Sequence, residues 1–408
     1  MKPLDQLTAH CIRCGFCLES CPTFLLTGEE TESPRGRIYL VRSANEGKLE
    51  WEQIRPHLDR CLGCRACETA CPSGVEYGQI SEIARRQLGV PVVRKGLLNN
   101  LTNPDRAGVL LKLATLLPGR RIPSPLSKIL SGQSAEAERP RPEQHLPYPS
   151  LDESSLPPVK GEVYLLAGCV MRSLFPRVHE ATRRHLRRIG FAVRETSQGC
   201  CGSLHLHAGM IEEAKEWAER LAADLSDELP VIVNSAGCGS TMKEYQSLIG
   251  DAVFASRVFD AAEFLQANGF IDTLGGARGP GSPDRGASPA APVRVTYHDA
   301  CHLAHGQGVR QPPRELIAAI PGIELVPLPE SDVCCGSAGI YNVTQPKMAR
   351  ELVERKWRNI ESTGAEVVAM GNPGCHAWIG QAAREHGGKV KVLHTMELLE
   401  AAFTGLAG

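Results

Sequence analysis

Eight of the chain's sixteen cysteines fall into two copies of one spacing, Cys-x2-Cys-x2-Cys-x3-Cys-Pro. The first copy is Cys11, Cys14, Cys17 and Cys21 followed by Pro22. The second is Cys61, Cys64, Cys67 and Cys71 followed by Pro72, each cysteine 50 residues after its counterpart. Thiolate sulfur is a soft donor that suits iron, and this spacing is one by which proteins hold [4Fe-4S] cubanes. The fourth cysteine of each run is expected to serve the other cluster, because the chain turns away after the first three. That predicts one cluster on Cys11, Cys14, Cys17 and Cys71 and a second on Cys61, Cys64, Cys67 and Cys21. The prolines remove a backbone donor and are expected to stop the chain running on as helix. Zinc sites also use cysteine pairs two residues apart, but they need neither the third cysteine nor the Cys-Pro. Electron transfer is the chemistry these residues suit.

The other eight cysteines form a second internal repeat. Cys169, the vicinal pair Cys200-Cys201 and Cys238 recur as Cys301, Cys334-Cys335 and Cys375, at offsets of 132, 134 and 137 residues. Both pairs continue as Cys-Cys-Gly-Ser, through Gly202 and Gly336. Short apolar runs precede the single cysteines: Val163 to Ala167, Val231 to Asn234, Val293 to Tyr297 and Glu366 to Met370. Such runs alternating with amphipathic helices, one of them from about Arg177, predict small parallel α/β units. The cysteines then stand at the carboxyl ends of strands, where open α/β sheets bind ligands. Four thiolates at one edge are costly as free charges, so each module is expected to hold a metal cluster. A strained, easily reduced disulfide within each vicinal pair is the competing expectation.

Histidines crowd the second module, with His298, His302 and His305 about Cys301 and His376 beside Cys375; the first has His205 and His207 after its Cys-Cys-Gly. Such imidazoles can ligate iron or carry protons, or simply satisfy backbone groups. Arg35 and Arg37 read equally as a partner anchor, as donors near a cluster or as a solvated pair at a helix start. Arg183, Arg184, Arg187 and Arg188 fall at helical spacing, which predicts a wet face.

The elements that must position these residues divide the chain. Residues 1–90 carry the paired motifs, with a helical insert over Arg35 to Leu49. Residues 91–160 read as a helical segment and, from 131, a linker rich in Pro, Ser and Glu. Residues 161–274 and 293–408 are the two Cys-Cys-Gly domains. The linker between them, 275–292, has closely spaced glycines but no strand and helix to make them a nucleotide loop. The expected fold class joins α+β and α/β: an N-terminal helical, ferredoxin-type domain with two [4Fe-4S] clusters, then two homologous small parallel α/β modules.

Composition narrows the function classes. The 408 residues carry 45 Lys and Arg against 46 Asp and Glu, and 42% are hydrophobic, so neither nucleic-acid binding nor disorder is indicated. The start, MKPLDQLTAHC, has no apolar signal-peptide core, and the cysteines sit at metal-ligand spacings, so a reducing compartment, the cytoplasm, is expected. The most apolar stretch, Gly108 to Leu117, is about half the ~20 residues a spanning helix needs. Around it, Leu101 to Leu130 sets Arg106, Lys112, Arg120, Arg121 and Lys128 against a lone Asp105. A helix packed on its own protein is the expectation there, and a helix lying on an anionic membrane surface the alternative.

A double cluster motif followed by two Cys…Cys-Cys-Gly…Cys modules resembles a superfamily of iron–sulfur subunits that includes those of glycolate oxidase, anaerobic glycerol-3-phosphate dehydrogenase, lactate utilisation and heterodisulfide reductase. Several strings are most similar to the glycolate oxidase branch. They are Cys14-Gly15-Phe16-Cys17, PRGRIYL from Pro34 to Leu40, HLDRC ending at Cys61, CETACPSGV from Cys67 to Val75, and CCGSAG from Cys334 to Gly339. The resemblance covers nearly the whole chain. It implies an electron-transfer subunit: FAD-binding partner subunits oxidise glycolate to glyoxylate, and electrons pass through this chain toward a quinone or other membrane acceptor. FAD would reside only in the partners, and this chain would sit peripherally on the inner face of the cytoplasmic membrane. No dinucleotide fingerprint follows a strand here, so the substrate chemistry falls to the partner and no catalytic residue is assigned to this chain. The alternatives are a related flavoenzyme acting on glycerol 3-phosphate or lactate, or a catalytic reductase like heterodisulfide reductase. In that reductase the last cysteine of each module belongs to a Cys-x2-Cys pair. Here Ser235 and Asn372 stand three residues before Cys238 and Cys375, which argues against a disulfide-reducing double cluster.

Overall fold

The computed structural model describes residues 2–102, 147–196, 199–277 and 291–404. The basic leucine-rich stretch from 103 on and the centre of the second linker therefore lie outside the described residues.

Residues 2–102 are helical. Helices Leu4–Ala9, Pro34–Asn45, Trp51–Asp59 and Tyr77–Leu88 close on a core of Leu7, Ile38, Val41, Ile54, Leu58 and Ile80. The helical insert is Pro34–Asn45, and its start is written locally. Ser33 Oγ accepts from the Gly36 N–H at 3.0 Å and Pro34 takes the first helical position, where its fixed φ is pre-organised and its missing N–H is no loss. Pro22 corrects an expectation by the same rule: it opens the short helix Pro22–Thr27 rather than ending one.

The rest of the described chain builds two four-stranded parallel sheets. The first comprises β1 (Gly161–Leu165), β2 (Phe191–Glu195), β3 (Val231–Val233) and β4 (Val258–Asp260), in the order β2-β1-β3-β4. The second comprises β5 (Val293–Tyr297), β6 (Ile323–Val326), β7 (Val367–Met370) and β8 (Lys391–His394), in the order β6-β5-β7-β8. All pairings are parallel. The four apolar runs of the sequence are the inner strands β1, β3, β5 and β7. Being covered on both faces, these are the strands that read as unbroken apolar runs. One continuous apolar core, including Val163, Leu165 and Leu186 of one module with Val295, Leu316 and Leu398 of the other, joins the two sheets.

The helix Pro176–Arg188 lies in that junction, and this overturns the wet-face expectation. Arg183 is exposed, but Arg184 and Arg188 are buried and both pair with the buried Glu400 of the C-terminal helix Thr395–Thr404. Helical spacing fixed which arginines share a face, and the helix that covers the face comes from more than 200 residues away.

Candidate metal centres

Two cavities lie between the loops of the first repeat. One, of about 400 Å³, is lined by Cys11, Cys14, Cys17, Cys67 and Cys71. The other, of about 310 Å³, is lined by Cys21, Cys61, Cys64 and Cys67. Each thus meets the first three cysteines of one motif and the fourth of the other, and Cys67 lines both. The loops share a backbone device. Arg13 and Gly15 in one, and Gly63 and Arg65 in the other, take left-handed conformations with φ of 59°, 91°, 65° and 63°. Alternating handedness curls a loop around a centre and turns its N–H groups inward, as the Gly63 N–H donating to Cys61 Sγ at 3.4 Å shows. Glycine bears this without cost, whereas each arginine is strained by roughly 1–2 kcal/mol. Four soft donors about an enclosed space, with donors aimed at the sulfurs, fit an iron–sulfur cubane.

Buried polar groups surround the second cavity. Tyr77 Oη donates to Cys61 Sγ at 3.5 Å, and Arg37 Nη1 lies 4.0 Å from Cys21 Sγ. Burial pushes the Cys61 thiol up, but the Arg37 and Arg85 guanidiniums more than offset it, and the thiol titrates below its ordinary value. Arg37 is no solvated residue. It is 1% exposed and pairs at 2.7 Å with the fully buried Glu32, which also accepts from Arg60 and meets His57 Nδ1. Arg35 faces the first motif instead, half-exposed, paired with Glu30 and reaching the Arg13 carbonyl at 3.4 Å.

In the modules, each expected set of four cysteines gathers beyond the carboxyl ends of the first three strands. Cys169 and His205 lie beside Cys200 and lower its pKa to about 6. Cys201 lies likewise beside Cys238, which titrates below its ordinary value. In the second module the contacts run Cys301 to Cys334 to Cys335 to Cys375. No pair is closed as a disulfide. The glycine of each Cys-Cys-Gly has one geometric cause. Gly202 and Gly336 have φ of 79° and 90°, and a Cβ on either would come within 2.7 Å of the carbonyl oxygen of Ala214 or Ala349 on the helix behind. Ser235 and Asn372 also gain a role: Ser235 helps to lower the Cys238 pKa, and Asn372 Nδ2 donates to Cys375 Sγ at 3.6 Å.

The histidines separate. His298 is fully buried, and a ring nitrogen of it can meet Cys335 and Cys375 sulfurs within 4.8 Å. Its Nδ1 donates to the Ser331 carbonyl at 3.0 Å, which leaves Nε2 bare and without a partner. Burial, with Lys356 nearby, lowers its pKa to about 3, so it stays neutral, the form in which imidazole ligates metal. The first module has Leu166 at the equivalent place. His302, His305 and His376 instead bond the carbonyls of Gly63, Asp332 and Val392, and His207 pairs with Glu82. Tyr77, Arg85 and Lys356 escaped sequence reading, since nothing in their spacing ties them to cysteines far along the chain.

The second motif is packed against the second module. Cys64, with Leu62 and Ala66, shares an apolar cluster with Cys334, Tyr341, Ala349 and Leu352. Burial, then the facing Cys301, raises the Cys64 thiol well above its ordinary value. Tyr341 Oη donates to the Arg60 carbonyl at 2.8 Å.

These features define a two-cluster iron–sulfur protein with paired cysteine-rich α/β modules, and family comparison agrees. A 4Fe-4S dicluster domain matches residues 8–75, and a cysteine-rich domain matches twice, at 163–243 and 295–380. The chain is 34% identical to a probable glycolate oxidase iron–sulfur subunit of Bacillus subtilis, over 96% of this chain and 94% of that one. It is 30% identical to the glycolate oxidase iron–sulfur subunit of Escherichia coli, over 98% and 95%. It is 28% identical to a subunit of the fumarate reductase (CoM/CoB) of Methanothermobacter marburgensis, over 97% of this chain and 72% of that one. The chain belongs to the family of glycolate oxidase-like iron–sulfur subunits. Among the described residues no helix is long and apolar enough to cross a membrane.

Proposed function

We propose that this chain carries electrons within a glycolate dehydrogenase, from an FAD-binding subunit that oxidises glycolate to glyoxylate toward a quinone, from a peripheral position on the cytoplasmic face of the membrane. Cys11, Cys14, Cys17 and Cys71 hold one [4Fe-4S] cluster, and Cys61, Cys64, Cys67 and Cys21 hold the other. The observation that carries the reading is the interleaved lining of the two cavities. Bound there, the clusters supply one-electron storage that lets a two-electron oxidation at flavin be passed on singly. This chain's own residues do the rest. The thiolates hold the metal, Arg37 and Arg85 balance negative charge beside Cys61, and the second module excludes water from Cys64.

Each Cys-Cys-Gly module holds a further metal centre on its four cysteines: Cys169, Cys200, Cys201 and Cys238 in the first, Cys301, Cys334, Cys335 and Cys375 in the second. In the second, His298 is poised as an additional ligand. A second reading, in which the modules themselves reduce a disulfide, draws on the vicinal thiol pairs Cys200-Cys201 and Cys334-Cys335. Ser235 and Asn372 weigh against it, since they stand beside the last cysteine, Asn372 donating to Cys375, where that chemistry would want a further thiolate.

The test is anaerobic addition of glycolate, lactate or glycerol 3-phosphate to the complex purified through this chain from its own host. Bleaching of flavin and iron–sulfur absorbance by glycolate alone is expected. Bleaching by one of the other two would reassign the substrate, and disulfide reduction by the isolated chain would establish the second reading instead.

A further inference from the structure

The two motif loops are repeats, so matched positions can be compared for what covers them. Leu62 and Ala66 in the second loop are 7% and 3% exposed, whereas their counterparts Ile12 and Phe16 are each 68% exposed. Cys64 is buried and its counterpart Cys14 exposed. The cause of the difference is one contact, the second module seated on the second loop through Tyr341, Ala349 and Leu352. No described residue sits in the same way on the first loop. Instead Ile12 and Phe16 rim the first cavity. Beside them Tyr39 is 53% exposed, with the Arg13 guanidinium 4.8 Å from its ring centroid. Large apolar side chains clustered on a surface around a ligand site mark a contact with another molecule.

We propose that Ile12, Phe16 and Tyr39, flanked by Arg13, are the docking surface for the FAD-binding subunit, which covers the first motif loop as the second module covers the second. This rests on the reading of the chain as an electron-carrying subunit. The covered loop shows what the occupant must offer. The second module brings apolar side chains together with two donors to backbone carbonyls, Tyr341 Oη to Arg60 and His302 Nε2 to Gly63 at 2.8 and 3.0 Å. On the first loop the Arg13 carbonyl, the counterpart of Gly63's, already accepts from Arg35, which leaves the His10 carbonyl, the counterpart of Arg60's, for the occupant. A protein surface supplies a donor to it and a hydrocarbon layer does not, so a protein and not the bilayer is the occupant. Arg13 adds a preference for a carboxylate at the rim of the partner's face.

Iron-loaded chains carrying Ile12→Asp, Phe16→Asp, Tyr39→Asp or, as a control on the first module, Val253→Asp would be titrated against the purified FAD-binding subunits encoded beside this chain's gene. Tyr39 lies on the helix Pro34–Asn45 and outside the cavity lining, so its variant tests the surface while leaving the cavity-lining residues unchanged. Val253 is 66% exposed on the short helix Ala252–Ser256 of the first module. Iron content and the spectrum of the reduced clusters are read on every sample. The expected result is affinity weakened on the order of tenfold or more for the three surface variants, as for aromatic anchors at an interface centre, with iron unchanged and Val253→Asp binding like wild type. Wild-type affinity in Tyr39→Asp and in an iron-replete Ile12→Asp or Phe16→Asp would overturn the docking site while leaving the subunit reading intact. Loss of binding to anionic lipid vesicles with flavoprotein affinity unchanged would overturn it in favour of a membrane contact. A wild-type chain that binds no flavoprotein would overturn the subunit reading and the docking site together.

Discussion

Cys14 and Cys64 occupy the same position of one repeated motif, in loops that share the same pair of left-handed residues, yet one is exposed and the other buried. The difference teaches that a cluster loop's chemistry and its accessibility are set by different parts of the chain. The ligand geometry is local and repeats with the motif. The cover is not local: it comes from the second module, some 240 to 290 residues further on. A duplicated motif has thereby become two unlike sites, one built into the interior and one facing outward.

The comparison breaks most sharply at the cysteines themselves. Cys64→Ser removes a ligand and disturbs the apolar junction with the second module, so loss of one cluster's iron and a lowered unfolding temperature are expected together. Cys14→Ser is expected to lose one cluster's iron and leave the fold in place. Iron analysis with anaerobic thermal melts checks both, and equal melts in the two variants would show that the junction does not depend on Cys64.

The two arginines come next. Arg37→Gln strips the buried Glu32 of one partner and is expected to cost about 3 kcal/mol, at the low end for a broken buried pair because Arg60 and His57 remain. It should also make the neighbouring cluster harder to reduce, since a cation near the sulfurs is gone. Arg35→Gln, at the partly exposed start of the helix Pro34–Asn45, should change stability by less than about 0.5 kcal/mol. Chemical denaturation and a redox titration followed by electron paramagnetic resonance distinguish them.

A smaller effect is expected at the cover. Tyr341→Phe removes the hydrogen bond to the Arg60 carbonyl at a cost of about 1 kcal/mol, with iron content unchanged.

The last prediction concerns pH and applies only to the covered side, where Glu82 and His207 face each other at 3.0 Å among Arg65, Arg85, Glu68 and Glu244. Burial raises Glu82 to about 8 and Glu244 to about 7, and lowers His207 to about 3. The Glu82–His207 contact is therefore a neutral hydrogen bond and no ion pair at pH 7. A carboxyl whose folded pKa is raised binds more protons folded than unfolded, so its contribution is lost as pH rises toward the folded value. A histidine with a lowered folded pKa does the reverse as pH falls below about 6.5, its unfolded value. Between about 4.3 and 6.5 the histidine's slope offsets that of one of the two carboxyls. Above about 6.5 the carboxyls act alone, and stability should fall by up to about 1.4 kcal/mol per pH unit for each. Glu82→Gln should flatten that decline between pH 6.5 and 8 in anaerobic melts.

The residues that carry chemistry were the most legible. Metal-ligand spacing needs only a few residues of local chain, so both motifs could be read from the sequence, as could the repeat of the modules. The inner strands were legible because they are covered on both faces and read as plain apolar runs. The outer strands β2, β4, β6 and β8 were not, since segments such as Phe191–Glu195 and Lys391–His394 mix charge with apolar residues. His298 was only one of several histidines until the fold left its Nε2 bare beside Cys335 and Cys375. Arg184 and Arg188 were misread toward solvent, and Arg37 was left open, for one reason: helical spacing tells which residues share a face and is silent on what lies against it.

Spacing and short-range periodicity were enough to determine the ligand types, their grouping, the parallel α/β character of the modules and the family, because each of these is written within a few turns of chain. It took the folded molecule to decide that the second loop is sealed and the first left open, that two arginines are buried on Glu400, and that one histidine faces two thiols. Those outcomes depend on contacts between segments hundreds of residues apart, and a one-dimensional pattern does not encode which distant surface comes to rest on which.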